Sequence, residues 1–229
     1  MGRAEVDLAV VSVATIPVVI RAGQLGVLGL CLSPSCLTQA GWWASLAGIV
    51  VNYAMHGFIW NRPETFTELS KKAPLNRLGG HPVDVFAGLE VVAKLVQLTS
   101  LVLFLGSAGR SAAYGAVFAA PGWCWLMLAS FVVLGQVLNF AMYAAIGNAG
   151  VYYGFKLGKT VPWCSGFPFN VGLRHPQYVG VVLTLWGVLM VALCEELAKM
   201  GFPQLIVAWG SMYFVMCAME QLADNDKSS

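Results

Sequence analysis

The sequence predicts an all-α, polytopic integral-membrane helical bundle with about five to six membrane helices. Three observations predict it. Of 229 residues, 58% are hydrophobic and only 10% charged, whereas soluble domains carry about 25% charged residues. The mean hydropathy is +0.72. Long stretches also lack any Asp, Glu, Lys, Arg or His: 45 residues from Ser111 to Phe155, and 19 from Pro176 to Cys194. A spanning helix needs roughly 20 apolar residues, and the chain offers runs of about that length several times over.

Six apolar segments can be marked, at about 5–31, 40–60, 83–107, 122–148, 176–194 and 200–222. In lipid each backbone polar group must be satisfied within its own segment, so runs this long are helices. The first begins "MGRAEVDLAVVSVATIPVVIRAG". Glu5 and Asp7 spoil the positive start of a signal leader and no small-x-small cleavage site follows, so it is expected to stay as a helix, interrupted by Pro17 and Arg21. "SPS" at 33–35, "NRPE" at 61–64 and "GGHP" at 79–82 separate the next segments. The third holds Glu90 and Lys94 at i, i+4, which suits a mutual ion pair or a snorkelling lysine. "APG" at 120–122 precedes the fourth. The fifth is short for a span, fitting a half-span or interfacial helix, and Glu195 and Glu196 close it as a solvated turn. Pro203 sits at the start of the sixth.

Charge placement narrows function and orientation. A net charge of +2 from scattered residues argues against a nucleic-acid partner, so partners are expected in the bilayer. If all six segments cross, one side carries nine Lys and Arg and the other only Arg110 and Lys199. The positive-inside bias makes the nine-residue side cytosolic. It holds both "GFPFNVGLRHPQYVG" at 166–180 and the acidic stretch "MEQLADND". The six cysteines form no C-x-x-C pair and none has metal-ligand spacing to a histidine, so they are expected to be small buried hydrophobes and no metal is expected. His56 and His81 suit interfacial or capping roles. No Ser-His-Asp spacing, P-loop or zinc signature is present.

The chemistry concentrates in "GNAGVYYGFKLGKTVPWCSGFPFNVGLRHPQYVG" at 147–180. Its glycines, Gly150 among them, suit tight helix packing or a cofactor pressed against main chain. Proline at 176 suits a first helical turn, whose N–H groups would face the loop and favour an anion. Arg174 and His175 would add charge there, or else anchor a helix end at the headgroups. Tyr152, Tyr153, Trp163, Phe167, Phe169 and Tyr178 are candidates for holding a methylated ammonium, or for an interfacial aromatic belt.

This string, followed near the C-terminus by "MEQ", resembles the phospholipid N-methyltransferase family, especially its plant and algal members that act on phosphatidyl-N-methylethanolamine. Its R-H-P-x-Y-x-G core is more distantly similar to that of the isoprenylcysteine carboxyl methyltransferases. The resemblance is strong at about 135–180 and weak back to about Trp42, dividing the chain into an N-terminal membrane helix, 1–40, and a methyltransferase domain, 41–229. It implies S-adenosylmethionine as methyl donor, a phosphatidylethanolamine-type lipid as acceptor, chiefly its mono- and dimethyl forms, and phosphatidylcholine as product at the endoplasmic reticulum. The family's G-x-G falls here on Val133, Leu134 and Gly135, and its Glu-Glu pair on Glu220 and Gln221, so one glycine and one carboxylate are replaced.

On that reading Arg174 and the helix start suit the donor's carboxylate, and Glu220 its ribose hydroxyls or cationic end. Gly150 and Tyr178 complete the cofactor set, while Tyr152, Tyr153 and Phe167 face the substrate. An imidazole ordinarily titrates near about pH 6.5, which makes His175 the proton acceptor of the motif, or a hydrogen-bond partner of the donor. Two rivals stay open: a membrane methyltransferase of another acceptor, such as an isoprenylcysteine carboxylate, and a non-catalytic scaffold or transporter with Glu90, Lys94 and Arg21 as a polar pathway. The sequence sets no oligomeric state.

Overall fold

In the computed structural model, residues 3–108 and 110–225 are described, and they contain helices and loops but no strand. The helices are α1 (Arg3–Gln24), α2 (Leu28–Cys31), α3 (Ala40–Asn61), α4 (Pro63–Ser70), α5 (Pro82–Ala108), α6 (Arg110–Ala119), α7 (Gly122–Val151), α8 (Pro176–Ala192), α9 (Glu195–Lys199) and α10 (Phe202–Asn225). Each expected apolar segment holds one long helix. Four are long and apolar enough to cross a membrane: Glu5–Gln24, Pro82–Gly106, Gly122–Val151 and Phe202–Glu220. The protein is an integral membrane protein of the all-α class.

Several boundaries differ from the expectation. The first helix stops at Gln24 rather than running to 31, because Gly26 takes a left-handed φ of 69°. Conversely, α1 passes through Pro17 and Arg21 without interruption. The helix α6 lies between the third and fourth apolar segments. Its small-residue run looks like a linker, yet alanine has the highest helix propensity.

Helix α8 is the axis of the bundle. It is apolar all round and buried along its length, from Val179 and Val182 to Leu189 and Met190, as expected for a helix enclosed by others. Helices α1, α7 and α10 pack around it, and α3 joins α10 to α5. The closest approach is at Gly135 of α7 and Gly180 of α8. A Cβ on Gly135 would collide with the Gly180 carbonyl oxygen and come within 2.7 Å of Thr184 Oγ1, and one on Gly180 would meet the Gly135 oxygen at 2.5 Å. Two small residues thus let the backbones touch, the usual device where packing rather than hydrophobicity joins helices in lipid. The outer faces are oily: Val91, Leu95 and Val102 of α5, and Val133, Val137 and Phe140 of α7, are all exposed. Such faces are suited to acyl chains rather than water.

Polar groups tie the elements together. Trp186 Nε1 of α8 donates to Thr15 Oγ1 of α1 at 2.8 Å, and Trp209 Nε1 of α10 donates to Tyr53 Oη of α3 at 3.1 Å. His81 caps α5, its Nδ1 accepting the backbone N–H of Val83 at 3.2 Å. The cysteines do not all behave as expected: Cys36 and Cys124 are buried, but Cys164 is exposed on the loop before α8.

Candidate active site

Near Val151 the chain must leave α7, form a compact loop and re-enter as α8. Gly147 begins the change, with φ 62° inside the helical run; a side chain there would be strained, so glycine supplies the kink. Tyr153 then adopts φ 53°, a left-handed conformation that costs a non-glycine residue about 1 kcal/mol. The ring reached by this backbone is buried, 4.9 Å from Trp60 and 5.6 Å from Phe86. Lys156 fixes the next turn: its Nζ donates to the Trp60 carbonyl at 3.0 Å and lies 3.9 Å above the Trp60 ring.

These elements enclose a cavity of about 330 Å³. Met142, Ile146 and Gly150 of α7 form one wall, and Trp60, Phe155 and Trp163 another. Arg174, His175, Gln177 and Tyr178 at the start of α8 and Glu220 of α10 supply its polar edge. The Glu220 carboxylate is gripped from several directions. Tyr178 Oη donates to its Oε1 at 2.7 Å and Tyr153 Oη to the same oxygen at 3.1 Å. Its Oε2 lies 3.4 Å from His175 Nδ1. His175 stacks parallel to Tyr178, with centroids 5.4 Å apart and planes at 4°. Burial, with the Glu220 charge adding to it, holds the Tyr153 hydroxyl protonated well above its usual range, so it remains a donor.

The backbone N–H groups before α8 already have an anion. Asp7 of α1 accepts from Arg174 N through Oδ1 and from His175 N through Oδ2, both at 2.9 Å. These two N–H groups precede the helix, so Asp7 from the first helix holds the chain just ahead of the first turn of α8. The Arg174 side chain still lines the cavity.

Of the residues singled out in the sequence, Gly150, Tyr153, Trp163, Phe169, Arg174, His175, Tyr178 and Glu220 meet at this cavity. Val133 and Leu134 do not: they lie on the exposed outer face of α7, and Gly135 is spent on the contact with Gly180. Phe167 is exposed on the loop and lines no wall described here. The Gln221 side chain lies outside the described residues.

A family model described as phospholipid methyltransferase matches residues 123–222. A protein of Arabidopsis thaliana named phosphatidyl-N-methylethanolamine N-methyltransferase is 30% identical over 177 residues, 77% of this chain and 90% of that protein. The chain belongs to the phospholipid methyltransferase family. No solved structure matches it. The matched stretch runs from α7 through α8 to α10 and so contains the cavity's polar edge, Arg174, His175, Gln177, Tyr178 and Glu220.

A second, smaller chamber of about 100 Å³ adjoins the first in this phospholipid methyltransferase, and Val151, Gln177 and Tyr178 line both. Tyr152 faces this one, its hydroxyl 2.9 Å from that of Tyr143. Within it the Glu90–Lys94 pair forms as its spacing indicated, at 3.0 Å, and His56 joins it, with Nε2 2.8 Å from Glu90 Oε2. His56 is thus a partner of Glu90 rather than a helix cap. The polar pathway of Glu90, Lys94 and Arg21 does not form one cluster: Arg21 is near Cys124 at the start of α7, whereas Glu90 and Lys94 face Tyr143, about 29 Å further along that helix.

Sequence reasoning missed Asp7, Trp60 and Gln177 as parts of the site. Asp7 was noted only as a flaw in a leader peptide. Its one available signal was a carboxylate inside an apolar segment, which is costly unless it has partners.

Proposed function

We propose that the protein transfers methyl groups from S-adenosylmethionine to the amine of phosphatidylethanolamine-type lipids, chiefly the monomethyl and dimethyl forms, to give phosphatidylcholine. The single observation carrying this reading is the Glu220 carboxylate, held by Tyr153, Tyr178 and His175 at the edge of an aromatic cavity in a phospholipid methyltransferase. The name of the Arabidopsis thaliana relative supports the lipid-amine acceptor over a carboxylate one.

The donor set fits a zwitterionic, cationic-sulfur cofactor. When bound, S-adenosylmethionine supplies an electrophilic methyl group carried on a sulfonium. Arg174 suits its carboxylate, Glu220 its ribose hydroxyls or its cationic end, and the rings of Trp60, Tyr153 and Tyr178 its positive charge. Catalysis is then mainly the positioning of two reactants. His175 accepts the proton that the amine gives up, and Glu220, facing His175 Nδ1, stabilises the imidazolium that forms. Gly135 serves the packing of α7 against α8 and Val133 and Leu134 face outward, so none of the three is assigned a donor contact.

The charge count supports an active site on the cytosolic face, and the endoplasmic reticulum is the membrane proposed. Residues 41–229 carry the methyltransferase chemistry, and α1 contributes Asp7 to its support.

Membranes holding the protein are incubated with labelled S-adenosylmethionine and, in turn, phosphatidylethanolamine, its monomethyl and its dimethyl form. Label is expected in lipid, most of it from the two methylated acceptors. No labelled lipid from any of the three rejects the reading.

A further inference from the structure

We propose that the chamber holding Glu90 is the seat of the lipid headgroup, reached sideways from the bilayer through the gap between α5 and α7. This rests on the lipid-amine reading above. Charge in an apolar segment is costly and is retained where it handles a polar or ionic ligand. Here Glu90 is 5% exposed, with one oxygen 3.0 Å from Lys94 Nζ and the other 2.8 Å from His56 Nε2. Lys94 lines the chamber, yet 46% of its side chain is exposed, which places it at the mouth.

The order of charge is therefore positive at the opening and negative within. A zwitterionic headgroup entering amine-first presents the complementary order: its ammonium reaches Glu90 while its phosphodiester stops at Lys94. An ammonium has three donors and gives one to Glu90 here, so others remain for phosphate oxygens.

The walls suit an amine that changes during the reaction. Each methylation removes an N–H donor, so a site built on hydrogen bonds alone would lose its ligand after one or two steps. Tyr53, Tyr143, Tyr152 and Tyr213 line the chamber, and aromatic faces hold an ammonium whether or not it is methylated. Tyr178 and Gln177 form a common boundary with the larger cavity, so the amine and the methyl donor would face one another there.

The opening follows from the packing. Helix α7 lies along α8 and touches α5 only sparsely. Val91, Leu95 and Leu98 on α5, and Val137 and Phe140 on α7, give the two outer faces an exposed apolar surface on which acyl chains can rest while the headgroup turns inward.

The test uses the full chain in mixed micelles containing phosphatidyl-N-methylethanolamine and labelled S-adenosylmethionine. Lys94→Gln is expected to raise the apparent KM for lipid about tenfold, the scale of one charge-assisted contact, with the cofactor KM within about twofold of wild type. Lys94→Arg should recover most of the loss, and Asn139→Trp, narrowing the gap from α7, should act on the lipid KM in the same direction. Equilibrium binding of labelled S-adenosylmethionine reports whether each variant is folded. An unchanged lipid KM in folded Lys94→Gln and Asn139→Trp, or a cofactor KM that moves as far as the lipid KM, overturns the proposal.

A phosphatidylethanolamine with a photoactivatable group at its headgroup separates this proposal from the one it rests on. Cross-links on peptides of α5 and α7 support the chamber even if wild type transfers no label and the methylation reading fails. Cross-links confined to residues that do not line the chamber overturn it even if methylation proceeds.

Discussion

The Asp7 carboxylate accepts the backbone N–H of His175 at 2.9 Å, tying the first helix to a motif 168 residues later. Its other oxygen takes Arg174 N, and the side chain is 5% exposed. An anion facing the start of α8 is held by both direct hydrogen bonds and the helix dipole. Asp7→Asn keeps one acceptor but turns an NH₂ toward an N–H that needs one. It is expected to cost about 1–3 kcal/mol, read as a lower thermal unfolding midpoint in detergent, and to weaken S-adenosylmethionine binding. An unchanged midpoint would remove Asp7 from the support of the site.

The Gly135–Gly180 contact leaves no room for a methyl group. Gly135→Ala is expected to destabilise the α7–α8 pair by about 1–3 kcal/mol, the usual scale of overpacking. Gly122→Ala is the control, because nothing lies within 4 Å of a Cβ there. Equal midpoint shifts for the two variants would show that the close approach does not matter to stability.

Alkaline pH tests the buried hydroxyls. Burial raises the hydroxyls of both Tyr152 and Tyr153 above their usual range, so the folded chain keeps protons that the unfolded chain releases from about pH 10 upward. The associated stability is complete below that pH and is lost as pH rises above it, by about 1.4 kcal/mol per pH unit for Tyr153. Unfolding midpoints measured between about pH 9 and 11 should fall less steeply in Tyr153→Phe than in wild type. Parallel slopes would contradict a buried, protonated Tyr153.

Glu220→Gln removes the charge while keeping much of the shape. It should raise the apparent KM for S-adenosylmethionine about tenfold, as loss of a charged hydrogen-bond partner does, and leave the KM for lipid nearly unchanged. Equal changes in both constants would move Glu220 out of the donor's half of the site.

Much of this was legible in the sequence because lipid imposes one local rule, that the backbone satisfies itself, and six oily runs became six long helices. The helix start at Pro176 was also legible, from proline chemistry, and the alternation of six crossing segments already put the His175 and Glu220 stretches at one end of the bundle, though not in contact. The rest was not. Asp7, His56 and Glu90 are each isolated charged or polar residues within apolar runs, and only the folded arrangement shows that Asp7 meets Arg174 while His56 meets Glu90. Gly135 fell in a recognised motif position, but its neighbour across the helix pair, not its motif, decides what it does.

Helix α8 has 17 residues, or about 25 Å at 1.5 Å each, roughly 5 Å less than the hydrocarbon slab. Longer helices pack around it, and its first turn, with His175 just before it, borders the larger cavity. On the function proposed above, this short helix leaves room at one end of the bundle for a water-soluble methyl donor to meet a lipid amine that stays in the bilayer.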